Sequence, residues 1–541
     1  MSILKSSLLM ASGTVISRLL GFARSVLLAV AIGVTTNAAD AFGVANQLPN
    51  NVYVIIVGGV LQAVLVPQIV KARSHEDGGK GYIDRLLTFL LSVFLITTIV
   101  ATIVAPVLVR LYTSGWNPDQ LALATAFAYW CLPQLFFYGL YSVLGEVLNA
   151  RSAFGPYTWA PVLNNIVALA GLIAYIVMFG ADPTDKQGIE NWTESQIAWL
   201  SGSATVGVAA QALILLFAWK RIGLTLNLNF KWRGFGLAPA LKAASWTLAM
   251  VIVTQIGGLV QTIVASGATS DRSGSVAIAS VAAASIGWLI FMLPHSVATV
   301  SIATAYFTKM SAHVHEGRID LLKHDLAAGL RTIALISSIA SATLVVLAYP
   351  VARVFVGEYD GTAALGNVLI ALMIGLLPFS FVFMMQRAFY ALEDTRRPFL
   401  FTCIQIGLHI CGSITIAFTV PHAFIVVALS ALTSLTVTVQ AVVAYGMLRR
   451  QVGSLFREHI LASMARFVIA AVGAGVIGWL TLQLLGGVSQ GAFAVASIMT
   501  SVLADAVVGV VMVTVYLILL RLLGAKEVNS AIQAAKGILR K

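Results

Sequence analysis

Residues 8–33 read LLMASGTVISRLLGFARSVLLAVAIG. Apart from Arg18 and Arg24 the run is apolar or small, and it holds no acid. At a helical rise of about 1.5 Å per residue it is long enough to cross a hydrocarbon core about 30 Å thick. A membrane barrel strand needs only about 10 residues and alternates polar with apolar; this run does neither. Backbone exposed to lipid must satisfy its own hydrogen bonds, so a run of this kind is a spanning helix.

The rest of the chain repeats the pattern. It has 541 residues, 59% of them hydrophobic and 10% charged, with a mean hydropathy of +0.93. A soluble protein dresses its surface with about 25% charged residues, so the solvent of this chain is lipid and its class is all-α polytopic membrane protein. The net charge of +12 is spread over many short loops. That distribution is the ordinary topology signal of a membrane protein, not a nucleic-acid patch. Cys131, Cys403 and Cys411 fall in apolar segments and make no framework or metal motif. Lys5 ahead of an apolar run resembles a signal peptide. The run is too long for one and carries two arginines, so it reads as a mature helix.

Fourteen spans are expected, near 7–33, 40–70, 86–112, 122–150, 157–180, 197–219, 243–267, 276–308, 326–356, 364–391, 398–420, 422–447, 463–486 and 492–522. Pro49 and Pro294 lie inside the second and eighth and should kink them. Loops after even-numbered spans carry most of the Lys and Arg, which places both termini in the cytoplasm. Gly33-Val-Thr-Thr and Gly267-Ala-Thr-Ser close the first and seventh spans, 234 residues apart. LNARSAFGP and YALEDTRRP join spans four to five and ten to eleven, their prolines 242 residues apart. The first twelve helices therefore read as two parallel six-helix halves around a central cavity, a common transporter plan. The expected division is an N-terminal lobe (1–222), a cytoplasmic linker (223–242), a C-terminal lobe (243–450), two added helices (451–523) and a basic cytoplasmic tail (524–541).

An arginine at membrane depth costs about 2.5–3.5 kcal/mol on insertion scales and should face protein or water. Arg18 falls about 16 Å into the first helix and Arg24 about 9 Å further. Six residues apart, they point about 120° apart on an ideal helix. Gly21 between them is a candidate hinge. Two roles stand for each arginine: anion binding, or pairing and snorkelling. Around Pro49, the stretch DAFGVANQLPNN supplies Asp40, Asn46 and Asn50; Asn165 and Gln255 add amides in spans five and seven. These are candidate supporting groups of a cavity, or helix–helix hydrogen bonds. His295 and His409 read as packing residues, and His313-x-His315 is a weak metal pattern. The chain has no Walker loop, no acidic cluster suited to Mg²⁺ and no nucleophile–base constellation. The residues thus describe a secondary transporter with a cationic cavity and an anionic cargo, not an enzyme.

SRLLGFARS, DAFGVANQLPN and Val66-Pro67, then LNARSAFGPYTWAPVLNN, then QRAFYALEDTRRP, resemble in order the motifs of the MurJ (MviN) lipid II flippases. That family lies in the MOP exporter superfamily with the MATE drug exporters. The resemblance implies a MOP-type fold of two six-helix lobes, with two extra helices forming a lipid-tail groove. It implies flipping of lipid II, the undecaprenyl-pyrophosphoryl disaccharide-pentapeptide, across the bacterial cytoplasmic membrane for cell-wall synthesis. Arg18 and Arg24 would meet the pyrophosphate, and alternating access would be driven by an ion, H⁺ or Na⁺, or by the membrane potential. No cofactor or metal is implied; membrane lipids and cell-wall synthesis proteins are the implied partners, and nucleic acid is not. The chain departs from the family where Tyr53 and Val54 stand in place of a basic pair. SIGWLIFMLP lacks the arginine and acid of the eighth helix, and Ser25 replaces an acid. Some actinobacterial relatives carry a cytoplasmic pseudokinase extension, and none is expected here. Export of another undecaprenyl-linked saccharide, MATE-like drug export, and a non-transporting envelope scaffold are the alternative readings.

Overall fold

The computed structural model describes residues 3–57, 80–151, 153–221, 223, 227–230, 237–269, 277–454 and 460–525. Among them every long element is a helix and there is no strand. Twelve helices are long and apolar enough to span, and a further pair bent by 43° makes a thirteenth. The expected second span, 40–70, leaves the described residues after 57, as do Val66-Pro67 and most of the basic tail. The outward surface is apolar, with Phe418 87% and Leu484 88% exposed. Such faces suit lipid and no aqueous solvent.

The chain divides into two compact units, Met1–Ser270 and Asp271–Lys541. The first holds α1 (Ile3–Ile32), α2 (Asn37–Ile56), α3 (Lys80–Ile103), α4 (Ala105–Tyr112), α5 (Pro118–Cys131), α6 (Gln134–Ala150), α7 (Phe154–Phe179), α8 (Glu194–Arg221) and α9 (Leu237–Gly267). By sequence repeat α9 opens the second half, yet it packs within the first unit. Gln255 Nε2 donates to Asn51 O at 2.7 Å, and Trp116 Nε1 donates to Ser266 O at 3.1 Å. These bonds tie the middle of α9 to α2 and its C-terminal end to the α4–α5 turn.

The second unit holds α10 (Val281–Pro294), α11 (Val300–His315), α12 (Ile319–Val346), α13 (Ala348–Arg353), α14 (Tyr359–Met373) and α15 (Leu376–Ala391). It continues with α16 (Arg396–Thr419), α17 (Ile425–Val452), α18 (Ile460–Leu484), α19 (Phe493–Ala496) and α20 (Ile498–Leu522). The last long pair, α18 and α20, packs together and onto α12. Phe467, Ala470, Ala474 and Tyr516 share a core with Ala334 there, and Tyr516 Oη donates to Leu335 O at 2.8 Å.

Several spans are broken where the expectation has one helix. Each break lies by a proline or glycine: Val104 before Pro106, Leu132–Pro133, Leu347 before Pro350, and Ile374–Gly375. A break frees carbonyls that hydrocarbon cannot bond. At two of these breaks side-chain hydroxyls from neighbouring helices take them. Thr205 Oγ1 on α8 donates to Trp130 O at 2.6 Å beside the fourth-span break. At the tenth-span break Ser434 Oγ on α17 lies 2.6 Å from Ala371 O and 3.1 Å from Leu372 O. Ser341 Oγ on α12 donates to Met373 O there at 2.6 Å. In each unit a hydroxyl from a neighbouring helix thus takes carbonyls beside the break. Pro49 sits within a continuous helix. Pro294 ends α10 and is followed at once by a single π turn, His295–Thr299, so the helical register slips there.

Gly139 on α6 shows how tightly the first unit is packed. A Cβ there would lie 2.2 Å from the Phe94 ring, and Phe94 is fully buried. Gly139→Ala should cost about 1–3 kcal/mol and lower the melting midpoint of the purified protein. Gly258→Ala, with nothing within 4 Å of the added carbon, should leave it unchanged.

Candidate functional site

The site is built on α1. Its face toward α7 is made of small residues one turn apart. A Cβ on Gly13 would stand 3.0 Å from the Trp159 ring, and one on Gly21 3.7 Å from Asn165 Nδ2. Between them Ser17 receives Asn165, whose Nδ2 donates to Ser17 O at 2.8 Å and lies 3.3 Å from Ser17 Oγ. Small residues let two backbones approach closely in lipid. Gly21 therefore sits in an unbroken helix and takes the Asn165 amide; Ser25 Oγ returns a bond to Gly21 O at 3.1 Å.

This seam fixes where the arginines point. Arg24, seven residues after Ser17, lies within about 20° of it on an ideal helix and so turns inward. It is half-buried and within electrostatic reach of the Tyr138 hydroxyl and the Cys131 thiol. Arg18 points elsewhere and is exposed. With α1 continuous across Gly21, the two are not brought together. Among the described residues neither arginine has an ion pair or a hydrogen bond.

The neighbours of Arg24, in contrast, are bonded to one another. Tyr138 Oη donates to Gln134 Oε1 at 3.0 Å. Gln134 Nε2 donates to Asn46 Oδ1 at 3.2 Å and to Thr205 Oγ1 at 3.1 Å, and Thr205 passes the chain on to Trp130 O. Gln134 is 1% exposed and uses both ends of its amide. Further along α6, Ser142 meets the Tyr53 hydroxyl of α2. The Tyr53 ring lies 5.5 Å from that of Tyr138. At the far end, Glu146 lies within electrostatic reach of Tyr53 and Tyr157. One polar face thus runs along α6, flanked by α1, α2 and α7, with a cation at one end and an acid at the other.

The other expected residues scatter around this face. Asn46 belongs to it. Asn165 serves the α1–α7 seam, and Gln255 bonds the Asn51 carbonyl. Asn50 is exposed. Asp40 is fully buried in the first turn of α2, behind the Thr36 cap that receives Ala39 N at 3.0 Å. There its charge complements the helix dipole. Pro294 and its π turn stand in the second unit. There Ser380 Oγ accepts from Thr299 Oγ1 at 3.0 Å and lies 3.2 Å from His295 Nδ1, so His295 is held by a hydroxyl. His313 pairs with Asp325 at 3.2 Å, and no metal-holding cluster occurs among the described residues.

Sequence reasoning missed Gln134, Tyr138 and Ser142 as a set. The signal was present. In QLFFYGLYSVLGE the residues Gln134, Tyr138, Ser142 and Glu146 recur every four, a polar stripe on one helical face. In a spanning helix such a stripe faces protein or water.

The fold is that of the MOP exporters. A solved multidrug-resistance MATE transporter of the MOP superfamily in an inward-facing conformation matches with a TM-score of 0.60 at 17% identity, over 80% of this chain and 99% of that one. A solved structure titled lipid II flippase MurJ, inward closed conformation, matches with a TM-score of 0.71 at 17% identity, over 94% of this chain and 98% of that one. Residues 28–504 match the sequence profile of the family described as "Lipid II flippase MurJ". A relative from Rhizobium tropici, named probable lipid II flippase MurJ, is 27% identical over 424 residues, covering 76% of this chain and 75% of its own. The chain belongs to the MurJ lipid II flippase family.

Gln134 is the test of the bonded stripe. Gln134→Leu strands Tyr138, Asn46 and Thr205 at once, and an unsatisfied buried polar group costs about 1–3 kcal/mol. A lower melting midpoint is expected for Gln134→Leu, and a smaller loss for Gln134→Glu, which keeps the acceptor for Tyr138 while losing the donor to Asn46 and Thr205.

Proposed function

We propose that this protein is a flippase that carries lipid II from the inner to the outer leaflet of the bacterial cytoplasmic membrane by alternating access. Both termini lie in the cytoplasm. Family membership supports the cargo class. The observation that carries the site is Arg24: a half-buried guanidinium with no acid, beside polar groups that are already bonded to one another. A cation kept in that state is suited to an arriving anion, and a pyrophosphate gives the bidentate oxygens that arginine binds best. Arg18, exposed and unpaired on the same helix, serves as the outer contact. The supporting residues are Asn46 through Gln134, Asn165 through the α1 seam, and Gln255 through the backbone of α2. The α18–α20 pair is assigned the polyprenyl chain. Residues 1–222 and 243–450 are the moving lobes, Pro294 with its π turn is a hinge, and H⁺ or Na⁺ is the coupling ion. Cell-wall synthesis proteins are partners.

One observation favours a second reading, a different undecaprenyl-linked saccharide. Tyr53, which stands where many relatives have a basic residue, is tied to Ser142 and brings a hydroxyl in place of a charge.

Complementation of a flippase-depleted bacterium separates these readings. Wild type should restore growth and lipid II translocation. Arg24→Ala and Arg18→Ala, at equal expression, should each lower translocation at least tenfold, the larger loss at Arg24. Failure of the wild type would remove lipid II as cargo. Full activity of both variants would remove the cationic site while leaving flipping intact.

A further inference from the structure

We propose a second anion site, in the second unit, that binds a phosphate group through Arg387 and Tyr390. Arg387 lies four residues from the C-terminal end of α15 and is half-buried. Its guanidinium carbon stands 4.8 Å from the Phe383 ring centroid and 5.7 Å from that of Phe307 on α11. Stacking of this kind uses the face of a guanidinium and leaves its N–H edge open. Among the described residues no acceptor or acid takes that edge.

A second donor lies beside it. Gln386 Nε2 donates to the Tyr390 hydroxyl oxygen at 2.9 Å, so the hydroxyl proton is left to donate. Tyr390 is within electrostatic reach of Arg387. Lys309, two residues beyond Phe307 on α11, points about 160° away from it on an ideal helix and stands outside this pair, exposed over the Tyr306 ring at 5.5 Å. Glu393, three residues past Tyr390, is exposed, and two further acids are engaged. Asp394 is bonded to Arg397 at 2.6 Å and accepts two backbone N–H groups, and Asp325 is paired with His313. The result is a guanidinium edge and a tyrosine hydroxyl three residues apart on one helical face, the guanidinium held by rings from α15 and α11. A phosphate oxygen pair fits a guanidinium edge bidentately, with the tyrosine hydroxyl as a third contact.

The phosphate can belong to a membrane lipid headgroup or to a soluble diphosphate, and two measurements on the purified full chain separate them. Native mass spectrometry counts retained phosphatidylglycerol, and equilibrium binding follows radiolabelled inorganic pyrophosphate. Wild type should bind in at least one of the two. Arg387→Gln should weaken that binding at least tenfold, and Arg387→Lys should fail to restore it because a point charge cannot make the bidentate contact. Phe383→Leu should weaken it in part by freeing the guanidinium. The Arg18→Gln/Arg24→Gln double variant should retain it, which separates this site from the first. Loss in the lipid measurement assigns a headgroup; loss in the pyrophosphate measurement assigns a soluble diphosphate. Equal binding by wild type and Arg387→Gln in both, or loss only in the double variant, overturns the proposal.

Discussion

A carbonyl freed inside hydrocarbon has no water to turn to, and the rest of this structure follows from how that demand is met. The spans are not straight rods. Prolines and Gly375 interrupt them, and at the fourth and tenth a Ser or Thr from a neighbouring helix bonds the exposed carbonyls. Those hydroxyls do more than repair. Thr205 bonds the backbone with its proton and accepts from Gln134 with its oxygen. The repair of a broken helix is thereby the last link of the polar chain that begins at Tyr138. Backbone satisfaction and the site share one set of atoms.

The same economy explains the contrast between Arg24 and its surroundings. Buried polar groups in a low dielectric are bonded or costly, and the amide and hydroxyls of this cluster are bonded. The guanidinium, among the described residues, has no such partner. Had the helices wanted a structural ion pair, Glu146 shares the polar face of α6, yet it stands at the opposite end, two turns beyond Tyr138. The cation and the acid are held apart by a bonded spacer of tyrosine, glutamine and serine side chains.

Much of this was legible in the sequence and some was not, for definite reasons. Hydropathy over twenty-residue windows identifies spans because lipid imposes the same rule on each, and the all-α membrane class follows; the exporter fold is what the resemblance of SRLLGFARS, DAFGVANQLPN and QRAFYALEDTRRP to the MurJ motifs implies. Arg18 and Arg24 are visible because charge in an apolar run is rare. The stripe from Gln134 to Glu146 was less visible, since each member is unremarkable alone and only the four-residue recurrence marks it. The asparagines near Pro49 drew attention by clustering, yet one turn separates two fates: Asn46 meets Gln134 on α6, and Asn50, four residues on, is exposed. The placement of α9 with the first unit is outside what a repeat can tell. It rests on Gln255 and Ser266 meeting residues far away in sequence. The clamp around Arg387 was hidden for the same reason, since Phe307 lies on a helix remote in sequence.

The seam between α1 and α7 has a further property. Gly13, Ser17 and Gly21 recur every four residues, so the surface that α1 offers to α7 repeats itself about every 6 Å. A helix with bulky interlocking side chains meets a steep barrier to any movement along its neighbour. Here the period is not a free one, because the footholds differ. Gly13 leaves only 3.0 Å for a Cβ beside the Trp159 ring, too little for Ser17 to take its place one turn on, while Asn165 holds the Ser17 carbonyl. The helix that carries both arginines is thus keyed to α7 in one register.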